Sequence, residues 1–192
     1  MPRLPPIGPP DMEPSGGFKV VATRRTAELG FLALEEVEVE APDGRRAARV
    51  AVRHPGAVAV LPIVAGEVIL IRQYRAPLDS LLLEVPAGKL DVADEPPAVT
   101  AARELEEEIG YRADELHLIA DIWTTPGFSD ERIRIYVAEG LKPVPMRPHG
   151  IEEEAAELVR VPVAEVADLL ASGAISDAKT LVALQWLVAR ER

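Results

Sequence analysis

The chain contains no cysteine. That excludes disulfides, thiolate zinc sites and a cysteine nucleophile, and it is compatible with the cytoplasm, where we expect the protein to reside. Its three histidines are scattered, so none is assigned to metal or catalysis. Aromatic residues make up only 4 % of the sequence. Few rings are therefore on hand to stack on a base. Phe18, Phe31, Trp123 and Phe128 are the candidates, and most are expected in the core. No apolar run is long enough to span a bilayer, and no charged-then-apolar leader opens the chain, so no membrane partner is expected. Positive charge is also scarce: 21 Lys and Arg stand against 32 Asp and Glu, a formal net charge of −11. Such a balance argues against a nucleic acid polymer as partner. An acidic protein acting on a phosphorylated small molecule needs local cations, supplied by metal ions and a few placed arginines.

With 192 residues, nearly half of them apolar, the chain can bury one core and carry an appendage. Residues 1–16 are proline-rich and aperiodic, and a disordered arm is expected there. Residues 17–56 read as an antiparallel β extension, with strands over Phe18–Thr23, Leu32–Glu40 and Ala47–Arg53 and a hairpin turn at Asp43-Gly44. In the second strand Leu34, Val37 and Val39 stand between glutamates. The unit is small for independent stability and must pack on the rest of the chain, on a second subunit or on both. Residues 57–192 form the main domain. Strands are expected over Ala57–Val64, Val68–Gln73, Leu81–Val85, Leu116–Trp123, Arg132–Ala138 and Leu158–Val161, with helices over Val163–Ala171 and Asp177–Ala189. Lys142–Glu154 reads as a long loop. Helices inserted between antiparallel strands predict an α/β sandwich around a mixed sheet.

The chemistry gathers in Gly88–Tyr111, GKLDVADEPPAVTAARELEEEIGY. Its second half reads as a helix that buries Ala98, Ala102, Leu105 and Ile109 and ends at Gly110. Glu104, Glu107 and Glu108 fall at i, i+3 and i+4, neighbours on another face. Three like charges repel unless a cation lies among them. Arg103 offsets part by pairing with Glu107, and a hard divalent ion such as Mg²⁺, which takes carboxylate and phosphate oxygens, would offset more.

This stretch resembles the Nudix hydrolase signature, Gly-x5-Glu-x7-Arg-Glu-U-x-Glu-Glu-x-Gly-U, where U is bulky and usually apolar. Glu95, Arg103, Glu104, Leu105, Glu107, Glu108 and Gly110 fall on the pattern, with Tyr111 in the last place. Gly88 lies one residue too far upstream, so the loop carries one extra residue while the register of the acidic face is kept. Glu84-Val85-Pro86-Ala87-Gly88 and Gln73-Tyr74-Arg75 are similar to segments of the ADP-ribose pyrophosphatase branch. So is the loop TTPGFSDE, which places Pro126 sixteen residues after Gly110. The resemblance implies a Nudix-type α/β/α sandwich with an N-terminal β extension that helps form a homodimer. It also implies Mg²⁺-dependent hydrolysis of ADP-ribose, with Mn²⁺ as a possible substitute. The open alternatives are hydrolysis of another nucleoside diphosphate derivative, or a nucleotide-sugar-binding module without turnover.

Site roles follow from residue chemistry together with the resemblance. Glu104 and Glu108 are the metal-ligand candidates, and Glu107 ligates directly or through water. The resemblance adds the backbone carbonyl of Ala87, and it places the general base on the loop before a late strand. That loop carries Glu152, Glu153 and Glu154, of which Glu153 is favoured. Arg75, with Arg72 as alternate, is the candidate phosphate contact, since a guanidinium grips phosphate at two points. Phe128 and Pro126 are expected near the substrate. Glu84 either contacts the site directly or serves as a structural strand-end carboxylate. Glu95 is expected to pair with Arg103 and hold the loop.

Overall fold

The computed structural model describes residues 15–191. Most of the expected disordered arm therefore lies outside the described residues. The extension is a three-stranded antiparallel sheet of β1 (Lys19–Leu29), β2 (Leu32–Glu40) and β3 (Arg46–Arg53), in that order. β1 runs well past the expected end at Thr23. Cross-strand ion pairs support the added length: Arg24 faces Glu36 at 3.2 Å, and Arg25 reaches Glu35 at 3.3 Å. β2 buries Ala33, Glu35 and Val37 on one face, so Leu34 falls on the opposite face from Val37 and Val39. Glu35 tolerates that burial because Arg53 grips it at 2.7 Å. The β2–β3 hairpin turns at Asp43-Gly44, with Gly44 at φ 83°.

The extension is docked by backbone as well as by charge. The Val52 N–H donates to the carbonyl of Phe128 at 2.7 Å, and the Asp130 N–H donates to that of Val52 at 3.2 Å. Arg53 pairs with the Asp130 carboxylate at 3.1 Å, and that carboxylate also accepts from the His54 N–H at 2.8 Å.

The main domain continues with β4 (Ala57–Val64), β5 (Glu67–Arg75), β6 (Ser80–Glu84), β7 (Ala87–Lys89) and α1 (Pro97–Ile109). β8 (Tyr111–Arg112), β9 (Glu115–Trp123), β10 (Arg132–Glu139) and β11 (Lys142–Pro143) follow. The chain ends with α2 (Ile151–Glu154), β12 (Glu157–Pro162), α3 (Val166–Ala171) and α4 (Ala178–Arg190). The seven-stranded sheet runs β12-β5-β4-β10-β9, with β6 on β5 and β7 on β4. β10 lies parallel to β4 and the other pairs are antiparallel, which makes the sheet mixed as expected.

β4 is buried on both faces, so its apolar run divides by alternation. Val58 and Val60 join Ile69, Ile71 and Tyr136 under Ala101, Leu105 and Ile109 of α1. Ala59 and Leu61 join Leu70, Ile135 and Val137 under Val166 of α3 and Ala183, Leu184 and Leu187 of α4. The result is a sandwich with α1 on one face of the sheet and α3 and α4 on the other. Rings contribute little to it: Phe18, Phe31 and Phe128 are exposed, against the expectation of core aromatics. No helix among the described residues is long and apolar enough to cross a membrane.

β4 and β5 join through a two-residue turn in which Ala65 at φ 53° and Gly66 at φ 82° are both left-handed. Alanine there carries a steric cost of about 1 kcal/mol. Ala65→Asn should therefore raise Tm by roughly 2–4 °C in a thermal melt. No gain would show that the turn is not strained.

Candidate active site

α1 begins after Pro96, with Pro97 in its first turn, and ends at Gly110 in the left-handed region with φ 69°. Its buried side is Ala101, Leu105 and Ile109, together with Thr100, Glu104 and Glu108. Ala98 is exposed and Ala102 is half-buried beside a groove of about 380 Å³ on the outer side of the helix, so the expected stripe corrects in phase. The rotation turns Glu104 and Glu108 inward toward β7, a place where a purely apolar stripe would not have put them.

Gly88 of β7 is what admits Glu104. A Cβ on Gly88 would lie 2.0 Å from the Glu104 Cδ and 2.1 Å from its Oε1. Gly88 is thus required for close approach and not for an unusual φ. Glu108 accepts from the N–H of the neighbouring Ala87 at 2.9 Å. Arg103 supplies the local cation, at 2.9 Å from Glu104 and 2.8 Å from Glu107. Glu95 pairs with Arg103 at 3.6 Å and accepts from the Thr100 hydroxyl at 2.7 Å, which ties down the loop ahead of the helix.

Burial pushes the Glu104 carboxyl above its ordinary range; Arg103 opposes this, and the charges of Glu107 and Glu153 add to it. Burial likewise pushes Glu108 up to about 8, with the Ala87 N–H opposing and Glu104 and Glu153 adding. Two inward carboxylates whose charged forms burial disfavours form a donor set suited to a hard divalent ion. Among the described residues no three acidic or histidine side chains already converge as a chelate. Arg103 supplies the cation between Glu104 and Glu107 instead.

Arg75 stands at the end of β5. Its Nε donates to Glu84 Oε1 at 2.8 Å and its Nη2 to Oε2 at 2.6 Å. Among the described residues, that fork leaves the Nη1 end of the guanidinium with its donors uncommitted. Glu84 is 1 % exposed and both its oxygens are taken by side chains, Oε1 by Arg75 and Oε2 by Arg75 and Lys179. Burial pushes its carboxyl up, but Arg75 and Lys179 outweigh this and hold it below the ordinary range. Arg72 lies on the opposite face of β5 from Arg75 and pairs with Glu157 at 3.4 Å, so the fold does not bring it to the others. Gln73 shares Arg75's face of the strand, is buried, and its Nε2 has no partner among the described residues.

The loop before β12 contains α2, a short helix where the sequence suggested only loop. The Arg147 N–H donates to the Glu107 carbonyl at 3.1 Å and pins the loop on α1. Glu152 and Glu154 are exposed and Glu153 is half-buried. The Glu153 carboxylate reaches back past the N-cap Gly150 to the His149 N–H at 2.5 Å. The His149 imidazole lies 3.5 Å from Glu107. Pro126 and Phe128 sit on the loop that docks β3, the Phe128 ring exposed. Lys179 and His149 were missed from the sequence. A lysine in the first turn of a helix carries no signal of burial, and scattered histidines gave no pattern.

Comparison with known proteins agrees with this geometry. A family model described as "NUDIX domain" matches residues 53–184. The chain is 41 % identical over 174 residues to the ADP-ribose pyrophosphatase of Bacillus subtilis (strain 168), covering 90 % of this chain and 94 % of that protein. It is 37 % identical over 174 residues to the methanol dehydrogenase activator of Bacillus methanolicus, with the same shares covered. The crystal structure of an ADP compounds hydrolase superposes with a TM-score of 0.80 at 28 % identity, covering 94 % of this chain and 96 % of that one. Signature, fold and relatives converge, and the chain belongs to the Nudix family.

Proposed function

We propose that the protein hydrolyses the pyrophosphate bond of ADP-ribose to AMP and ribose 5-phosphate with a divalent metal ion, Mg²⁺ or in its place Mn²⁺. The observation that carries this reading is the inward pair Glu104 and Glu108, buried against β7, where burial disfavours their charged forms. A module that only bound nucleotide sugars would have no use for so repulsive a face. Similarity to an ADP-ribose pyrophosphatase over most of both chains supports the substrate. Glu104, Glu108 and Glu107, with the Ala87 carbonyl, would hold the ion. When bound, it neutralises the diphosphate and lowers the pKa of coordinated water.

The chain's own residues supply the rest. Arg75 presents the open end of its guanidinium to a phosphate. Glu153 leaves the His149 N–H and takes the proton from the water that attacks phosphorus as the anhydride P–O bond breaks. Initial rates on a panel of nucleoside diphosphate derivatives with Mg²⁺ and with Mn²⁺, products resolved, test the reading. ADP-ribose should give the highest kcat/KM. A sugar nucleotide or dinucleoside polyphosphate that exceeds it would replace it as substrate.

Glu153→Gln should lower kcat by about 10²–10⁴-fold with a much smaller change in KM, since a base acts in the transition state. A large loss in Glu152→Gln or Glu154→Gln with Glu153→Gln active would move the base by one residue.

The protein acts as a homodimer through the extension. Val20, Leu29 and Val50 are each more than 60 % exposed there, on a sheet too small to leave such surface bare. Deleting residues 1–16 should be harmless, whereas deleting 1–54 should give a monomer or an aggregate with weakened substrate binding. Light scattering decides: a stable, fully active monomer lacking 1–54 would end the dimer reading.

A further inference from the structure

Lys179 is 7 % exposed, in the first turn of α4. A buried ammonium is costly unless it is paired, so its partners carry information. Its Nζ contacts Glu84 Oε2 on one side and lies 2.9 Å from Asp177 Oδ1 on the other. Asp177 is itself fixed as the N-cap of α4: its Oδ2 accepts from the Thr180 N–H at 2.9 Å and from the Thr180 hydroxyl at 2.6 Å. The same hydroxyl oxygen accepts from the Val85 N–H at 2.9 Å, which grips the residue next to Glu84. Arg75, Glu84, Lys179 and Asp177 therefore form a row of alternating charge that sums to zero. Arg75 is its outer member, its side chain 40 % exposed against 1 % for Glu84.

We propose that Lys179, held by Asp177, is a positioning residue for the substrate diphosphate: it fixes Glu84, and Glu84 holds Arg75 with its open end toward the phosphates. The inference rests on the reading of Arg75 as the phosphate contact. The charge row gives the reason. Without Lys179, Arg75 would be the only cation on a buried carboxylate, which would draw the guanidinium inward and compete with phosphate for it. With Lys179 on Oε2, Glu84 needs from Arg75 only the two hydrogen bonds it already receives. The remaining end then offers the paired donors that match two phosphate oxygens.

The test is a double-mutant cycle on steady-state kinetics with ADP-ribose, using Arg75→Gln, Lys179→Met and both together, with circular dichroism to verify folding. Arg75→Gln and Lys179→Met should each raise KM by about tenfold with kcat within about twofold, because the contact is made equally in ground and transition states. The double variant should be no worse than Arg75→Gln alone, since Lys179 acts only through Arg75. A wild-type KM in Lys179→Met, with Arg75→Gln impaired, overturns the inference and leaves the Arg75 reading standing. Additive losses in the double variant also overturn it. A wild-type KM in Arg75→Gln overturns both. If Lys179→Met does not fold, Asp177→Asn takes its place. It keeps the capping oxygen but removes the charge that holds the ammonium, and the same coupling to Arg75 is expected.

Discussion

Gly88→Ala should abolish turnover while leaving the protein folded. The added methyl would sit 2.0 to 2.3 Å from the Cδ, Oε1 and Cγ of Glu104. The clash is with the end of a flexible side chain, so the side chain yields and not the strand. β7 keeps its pairing with β4, and Leu105 keeps its place in the core. Glu104 alone is driven off its position, and with it one of the carboxylates proposed to hold the ion. The expected loss is of the order seen when catalytic groups are displaced, about 10²-fold or more for an ångström of misplacement. Activity assays beside a thermal melt decide it. An active variant would show that Glu104 works from another position.

Glu108→Gln should have two effects of opposite kind. Turnover should fall by orders of magnitude, because a charged ligand is lost, and Glu104→Gln should do the same. The metal-free protein, by contrast, should become more stable at alkaline pH. The Glu108 carboxyl has an ordinary value of 4.5 and burial pushes it up to about 8 in the fold. The folded state thus holds that proton more tightly than the unfolded chain. Its contribution to stability is full below about 4.5 and is lost as pH rises through about 8. A shift of this size corresponds to a few kcal/mol, roughly, for a group so buried. Glutamine has no such loss. The Tm of Glu108→Gln should match wild type near pH 4.5, exceed it increasingly as pH rises to about 8, and keep a constant lead above that. A difference that does not change with pH would mean that Glu108 is ionised and compensated in the metal-free fold.

The parts of this site that the sequence disclosed are those whose partners are close in the chain. Arg103 and Glu107 are one helical turn apart, so their pairing follows from spacing, and Glu95 lies only eight residues before Arg103 on the loop that leads into the helix. The bounds of β2 and β4 were legible because β-rich runs end at turn residues. The phase of α1 was not, because it is set by two carboxylates that the fold turns inward, and alanines at both candidate phases look alike in sequence. α2 spans four residues, too few to show a helical period, and is held by the tie from Arg147 to Glu107. The role of Glu84 stayed undecided for a further reason: its second cation lies 95 residues away. Phe31 and Phe128 are exposed against the average tendency of rings to be buried, Phe31 lying edge-on to His54 with the Lys89 ammonium over its face.

That distance has a consequence for synthesis. During translation the whole signature helix, every acid of the base loop and Arg75 leave the ribosome before Lys179 does. Until then Glu84 has a single ionic partner, the N-cap of α4 does not exist, and nothing holds the Val85 N–H. A nascent chain can therefore display the complete signature before the Arg75–Glu84–Lys179 row is assembled. On the proposed reading, a product that ends before α4 carries the signature but lacks the contacts that hold Glu84 and the Val85 N–H.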